Sequence, residues 1–131
     1  QISNFINQHN PEIVFIPFPD RHVDHRVIFD GSIVACTCIE FFETEKSVEI
    51  GSVFVQPYYN GRGIGRKLIQ KACEKSQSNG FKYAYIITSN AKNYFINKCG
   101  FSESKPEELP PQRRIKFQNN KRNSSILKKI F

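Results

Sequence analysis

Three groups of residues in this sequence have the types and spacing to do chemistry. The first lies in "VFVQPYYNGRGIGRKLIQKA", residues 53 to 72, where an apolar run stops at Pro57 and a glycine-rich basic loop leads into a helical pattern. The first four amides of a helix have no partner within it, and the helix dipole adds partial positive charge at that end. Gly61, Gly63 and Gly65 put no side chain in front of those amides, and Arg62 and Arg66 add positive charge beside them. A junction of this kind is an anion site. It is not a P-loop, because Lys67 lies between Arg66 and Leu68, where that motif needs Gly before and Ser or Thr after. Nor does Gly61-Arg62-Gly63-Ile64-Gly65-Arg66 have the G-x-G-x-x-G spacing of a dinucleotide fingerprint.

The second group is one carboxylate, Glu49 in "SVEIGSVFV". Strand alternation sets Val48, Ile50 and Phe54 on one face and Glu49, Gly51 and Val53 on the other. A carboxylate in a strand that otherwise reads as core is costly unless it faces a cleft, where it could take a proton. A solvated sheet face is the plain alternative. Glu40, Glu43 and Glu45 crowd a turn and read as solvent-exposed. The third group is the basic C-terminal segment. Of the net charge of +7, residues 105–131 carry +6, from eight Lys or Arg against Glu107 and Glu108. Arg113, Arg114 and Arg122 lie in it, and arginine can grip a carboxylate through two parallel hydrogen bonds. A solvated basic face, or a surface for nucleic acid, would have the same charge. Interleaved aromatics are limited to Phe117 and Phe131, so no stacking platform for single strands is evident.

Composition narrows the class. A chain of 131 residues, 39% hydrophobic and 24% charged, suits one globular domain with a real core. No apolar run reaches the length of a membrane span and no signal peptide is visible, so no membrane partner is expected. Gln1 at the start of a chain without Met reads as a fragment or trimmed product. Cys36, Cys38, Cys73 and Cys99 form no C-x-x-C pair. Cys36 and Cys38, two apart in a strand-like run, should face the same way as buried thiols. Asp20, His22, Asp24 and His25 cluster, but no tetrahedral spacing completes a site, and no metal is expected. Reduced cysteines point to the cytoplasm or an equivalent organelle compartment.

The elements that must position these residues follow from pattern. Residues 1–10 read as the end of a helix, and "EIVFIPFP" as a short extended segment stopped by Pro17 and Pro19. "HRVIFDGSIVACTCIEFF" reads as a hairpin around Asp30-Gly31, "ETEK" as a second turn, and "SVEIGSVFVQ" as a third strand. Ile64, Leu68 and Ala72 recur every fourth residue, with Ile69 and Cys73 beside them, which predicts a helix from Gly63 to Ser78 closed by Asn79-Gly80. "KYAYIITS" is a strand, and the strand–helix–strand order predicts parallel pairing. "AKNYFINKCGF" is a short helix ended by Gly100. Beyond the prolines at 106 to 111, "RIKFQ" and "SILKKIF" read as a final pair of strands.

The order of these elements, together with N-G-R-G-I-G directly after V-x-V-x-P, closely resembles the GNAT acyltransferases. That family's loop reads [RQ]-x-x-G-x-[GA], with Gly63 and Gly65 matching and Asn60 standing where Arg or Gln is usual. The resemblance implies an α/β (α+β) fold with a mixed, mostly antiparallel central sheet flanked by helices. It covers Val27 to the end, and residues 1–131 form a single domain whose N-terminal strand-helix-helix part is shortened or missing. It implies acetyl-CoA as cosubstrate, held by Asn60, Gly61, Arg62, Gly63, Ile64, Gly65 and Arg66. Amides near Phe54 and Val55 would stabilise the oxyanion, and Glu49 would be the general base in direct attack by a primary amine. The Tyr that many relatives place four residues before the Gly of G-F, as acid toward the coenzyme sulfur, is Ile96 here, and Tyr94 lies nearly opposite on the helix.

The C-terminal segment is similar to that of the amino-acid N-acetyltransferase, or N-acetylglutamate synthase, branch. Leu109-Pro110, Arg113, Arg114, Phe117, Arg122, Ser124 and Leu127 follow its pattern, with a one-residue offset at the aromatic. This implies an acidic amino acid as acceptor, L-glutamate above all, gripped by Arg122 with Arg113 and Arg114 behind it, and a place in arginine biosynthesis. Lys92 and Tyr94 stand where that branch often has Ser or His. A homodimer is compatible with this reading. Two other readings stay open: a GNAT for another small amine or a protein amine, and a non-catalytic module binding CoA or nucleic acid.

Overall fold

The computed structural model describes residues 12–17, 22–29, 32–120 and 123–131. The chain forms two compact units, one built from the chain up to Glu40 plus Ile50–Ala72, the other from Phe41–Glu49 plus Cys73–Phe131.

In the first unit β1 (Glu12–Pro17) pairs antiparallel with β2 (His22–Phe29), and β2 with β3 (Ser32–Phe42), with a register shift at Val27/Ile28. The turn of residues 43–46, which belongs to the second unit, separates β3 from β4 (Ser47–Val55), whose later part, from Ile50, belongs to the first. In β3, Ala35, Thr37 and Ile39 are buried while Cys36 and Cys38 between them are half-buried, so the two thiols share a face as alternation requires. A 3-10 turn (Pro57–Tyr59) then leads to α1 (Ile64–Ser78). The early turns of α1 put Ile64 and Leu68 against Val34 and Ala35 of β3, and Val55 and Tyr59 close the cluster.

In the second unit the first residues of β4, Ser47–Glu49, pair parallel with Tyr83–Tyr85 of β5 (Tyr83–Thr88). This is the pairing that the crossover through α1 predicts. β5 pairs antiparallel with β7 (Ser125–Ile130), which pairs on its other side with the two-residue β6 (Ser102–Glu103). Helix α2 (Lys92–Cys99) ends as expected at Gly100, whose φ of 78° is the left-handed conformation that glycine adopts cheaply. Lys129 Nζ donates to Cys99 O at 3.1 Å, so a cation sits at the carbonyl end of α2. The pieces read at residues 1–10 and at the Asp30-Gly31 turn lie outside the described residues.

The predicted final strand pair is corrected by the structure. "SILKKIF" does contain a strand, β7, but "RIKFQ" lies in a helix, α3 (Pro111–Asn119), entered from the 3-10 turn Pro106–Glu108. Pro111 occupies the first turn, where a missing N–H costs nothing. Helical spacing also explains which residues turn inward: Arg113, Arg114 and Phe117 are half-buried, whereas Ile115 is 59% exposed. Phe117 packs on the buried cluster of Tyr85, Leu109 and Ile126. A strand would put Ile115 and Phe117 on one face, and a helix separates them. Phe117→Ala should therefore cost about 1–3 kcal/mol and Ile115→Ala less than about 0.5 kcal/mol, as read by urea unfolding. Equal costs would restore the strand.

Candidate active site

The glycine loop is assembled from its flanks. At the end of β4, Gln56 is held to β3 twice: its backbone N–H donates to Val34 O at 2.8 Å, and its side-chain Nε2 donates to Ile33 O at 2.7 Å. Pro57 then opens the 3-10 turn, in which the Tyr59 amide donates to Gln56 O at 2.8 Å and the Asn60 amide to Pro57 O at 3.2 Å. The chain next needs two left-handed residues, Gly61 (φ 76°) and Gly63 (φ 78°), to turn into α1. A Cβ on either would meet no atom within 4 Å, so the space above the loop is open.

The Lys67 amide donates to Gly63 O at 3.1 Å, which makes it the first bonded amide of the helix. The amides of Gly63, Ile64, Gly65 and Arg66 precede it and point out of the N-terminal end. The Ile64 side chain is buried in the core, so only its backbone faces the loop. Arg66 is exposed, and Arg62 Nε is buried with no hydrogen-bond partner among the described residues. Open space, the free N-terminal amides of a helix and an orphaned arginine donor fit the pyrophosphate of a coenzyme.

Upstream, β4 changes character at Ser52. Alternation holds through Val48 (buried), Glu49 (half-buried) and Ile50 (buried). Ser52 then adopts φ 52°, uncommon for a residue with a Cβ, and the pattern breaks. Phe54, expected on the core face with Val48 and Ile50, is 53% exposed instead, while Val55 packs with the core cluster. Buried Thr37 donates its hydroxyl to Gly51 O at 2.8 Å, fixing the backbone just before the departure. A serine gives no sequence signal for this conformation.

Glu49 is the last residue of β4 paired with β5, opposite Tyr85. Its side chain is 16% exposed and is gripped by Arg113 of α3, whose side chain is 20% exposed. Arg113 Nε donates to Oε1 at 2.5 Å and Nη2 to Oε2 at 3.4 Å. Sequence reasoning placed Glu49 and Arg113 in separate roles and did not foresee their contact. It is visible only once residues 111–119 are a helix.

Arg114 points elsewhere. Its Nε donates to Pro106 O at 3.2 Å, and Nη2 to Glu107 O at 2.9 Å and Leu109 O at 3.3 Å, so it locks the 3-10 turn onto α3. Tyr85 adds to this lock by donating its hydroxyl to Glu108 O at 2.6 Å. Burial, followed by the charge of Glu108, pushes the Tyr85 phenol above its ordinary pKa, which keeps it a donor. Arg122 lies outside the described residues, as do the side chains of Asp20, His22, Asp24 and His25. Among the described residues no group of three or more His, Cys, Asp or Glu could hold a metal, and no helix is long and apolar enough to cross a membrane. Lys92 forms an exposed ion pair with Glu103, and Tyr94 stacks edge-on against Phe95. Burial pushes the Cys73 thiol up to about 11, so at neutral pH it is not a nucleophile that could take up an acyl group.

A strand that breaks into a glycine-rich loop and presents a helix N-terminus to open space defines an anion-binding class. The acetyltransferase (GNAT) family matches residues 4–101, and the chain belongs to that family. It is similar to the amino-acid acetyltransferase of Neisseria meningitidis serogroup A, 29% identical over 98 residues that cover 75% of this chain and 22% of that protein. The amino-acid acetyltransferase of Photobacterium profundum is 30% identical over 98 residues, again 75% of this chain and 22% of the relative. The chain thus spans less than a quarter of the length of these curated relatives.

Among solved structures, N-acetylglutamate synthase from Neisseria gonorrhoeae, in complex with coenzyme A and N-acetyl-glutamate, superposes with a TM-score of 0.76. It is 23% identical over 98% of this chain and 31% of that one. An acetyltransferase from Bacillus subtilis in complex with CoA gives a TM-score of 0.67 at 14% identity, covering 98% of this chain and 83% of that one. These likenesses establish the fold, which is the mixed sheet with helices that the sequence predicts.

Gly63→Ala places a side chain in a left-handed conformation and projects it into the open space. It should weaken CoA binding about tenfold in titration calorimetry while leaving the melting temperature within a few degrees. Unchanged CoA affinity would remove the loop from the coenzyme site.

Proposed function

We propose that this protein is an acetyl-CoA-dependent N-acetyltransferase that acetylates the α-amine of an acidic amino acid, L-glutamate in the first instance. The observation that carries the reading is Glu49, a half-buried carboxylate on the strand that leads into the coenzyme loop. The likeness to amino-acid acetyltransferases over 75% of the chain supports the choice of acceptor.

In this reading the amides of Gly61 to Arg66 hold the pyrophosphate, with the Arg62 and Arg66 guanidinium groups adding charge and Asn60 standing at the loop's entry. Acetyl-CoA supplies the acetyl group as a thioester, and CoA departs as the thiol. The acceptor is mostly an ammonium ion at neutral pH and must lose a proton before its nitrogen can form a bond to the thioester carbon. Glu49 takes that proton, directly or through water. The amides near Phe54 and Val55, beyond the kink at Ser52, stabilise the negative charge on the carbonyl oxygen as the C–S bond breaks. Ile96 stands at the position of the tyrosine acid, and a thiolate leaves readily enough to do without one. Arg122 grips a substrate carboxylate. The product then feeds arginine biosynthesis, and the protein works in the cytoplasm or an equivalent compartment.

The test is chromatographic detection of CoA released from acetyl-CoA in parallel reactions with L-glutamate, ornithine, spermidine and a lysine peptide. Release with glutamate, and a KM for glutamate raised about tenfold or more in Arg122→Ala with little change for acetyl-CoA, is the expected outcome. Release with another amine alone would keep the acetyltransferase and discard the acceptor. No release in any reaction, with CoA still bound, would favour a binding module.

A further inference from the structure

The Glu49–Arg113 pair has a geometry that neither a surface ion pair nor a substrate grip requires. Both guanidinium nitrogens that face the carboxylate donate to it, Nε to Oε1 at 2.5 Å and Nη2 to Oε2 at 3.4 Å, and the two side chains are 16% and 20% exposed. A two-point contact between two planar groups fixes the rotation of the carboxylate as well as its position. The backbone on each side of the pair is also held. Glu49 is paired with Tyr85 in the sheet. The start of α3 is fastened by Arg114 to three carbonyls of residues 106–109, and Phe117 packs one turn after Arg113 on the Tyr85–Leu109–Ile126 cluster.

We infer that Arg113 is a positioning residue: it holds the Glu49 carboxylate in the orientation from which it takes the proton of the acceptor amine, and does not itself bind the acceptor. The inference rests on the reading of Glu49 as the base and changes the role that the sequence implies for Arg113. The guanidinium also keeps the carboxylate charge compensated before an acceptor arrives. An acceptor amine then meets a carboxylate that is already held in one orientation. Lysine can replace the charge of Arg113 but not its fork, because an ammonium contacts as a point.

The experiment is a kinetic cycle of wild type, Glu49→Gln, Arg113→Gln and the double variant, with Arg113→Lys alongside and CoA affinity measured for each. The expected result is that Arg113→Gln lowers kcat about 10- to 100-fold with little change in the KM of either substrate. The same substitution in the Glu49→Gln background should cost nothing further, since the group it positions is already gone. Arg113→Lys should recover only part of kcat, and added guanidinium should restore part of the Arg113→Gln rate.

A raised acceptor KM with kcat unchanged, in both backgrounds, would return Arg113 to substrate binding and overturn the inference while leaving Glu49 as base. Wild-type activity in Glu49→Gln would overturn both, and is recognised by that single variant alone. If Arg113→Gln does not fold, Arg113→Lys decides: full kcat overturns the inference, and a reduced kcat with unchanged KM supports it.

Discussion

A carboxylate inside the fold, facing a guanidinium from a helix sixty-four residues away, sets the terms for much of this structure. Leaving either group unpaired at such depth is costly, about 3–5 kcal/mol for a fully buried pair and less for one partly wetted like this. Several features of the second unit follow from keeping the two together. The parallel pairing of Ser47–Glu49 with Tyr83–Tyr85 holds the strand end. The Pro-led 3-10 turn, Arg114 on three carbonyls and Tyr85 on Glu108 O hold the helix end.

The glycine loop solves a separate problem with backbone alone. It must leave a strand, turn sharply and open a helix while presenting amides outward, and two left-handed glycines do this with nothing in front of them. The helix that follows is anchored by Ile64 and Leu68 on Val34 and Ala35, so the amide cluster is tied to a buried core and not to a mobile loop tip. Gln56, bonded twice to β3, fixes where the loop begins.

Most of this was legible in the sequence because it follows local rules. The fourfold spacing of Ile64, Leu68 and Ala72 marks α1, and Gly100 ends α2. What was not legible depends on contacts distant in sequence. "RIKFQ" alternates polar and apolar like a strand, yet Pro111 and the inward turn of Arg113, Arg114 and Phe117 make it a helix. The two prolines at 110 and 111 were the available signal for that start. Ser52 carried none: it adopts φ 52° in a stretch that reads as extended strand, and beyond it Phe54 is exposed where alternation predicts a core residue. Of the arginines singled out as carboxylate grips, Arg113 holds a carboxylate that is the protein's own, and Arg114 bonds backbone carbonyls instead.

The central claim is that Glu49 removes a proton from the acceptor amine, and it is tested most directly by the ratio of wild-type to Glu49→Gln rates as pH rises from 7 to 9. A base is needed only while the amine is protonated, so the account predicts a ratio of about 10²–10⁴ at pH 7 that falls steadily toward alkaline pH. A ratio that stays constant across that range, or a Glu49→Gln variant as active as wild type at pH 7, would contradict it.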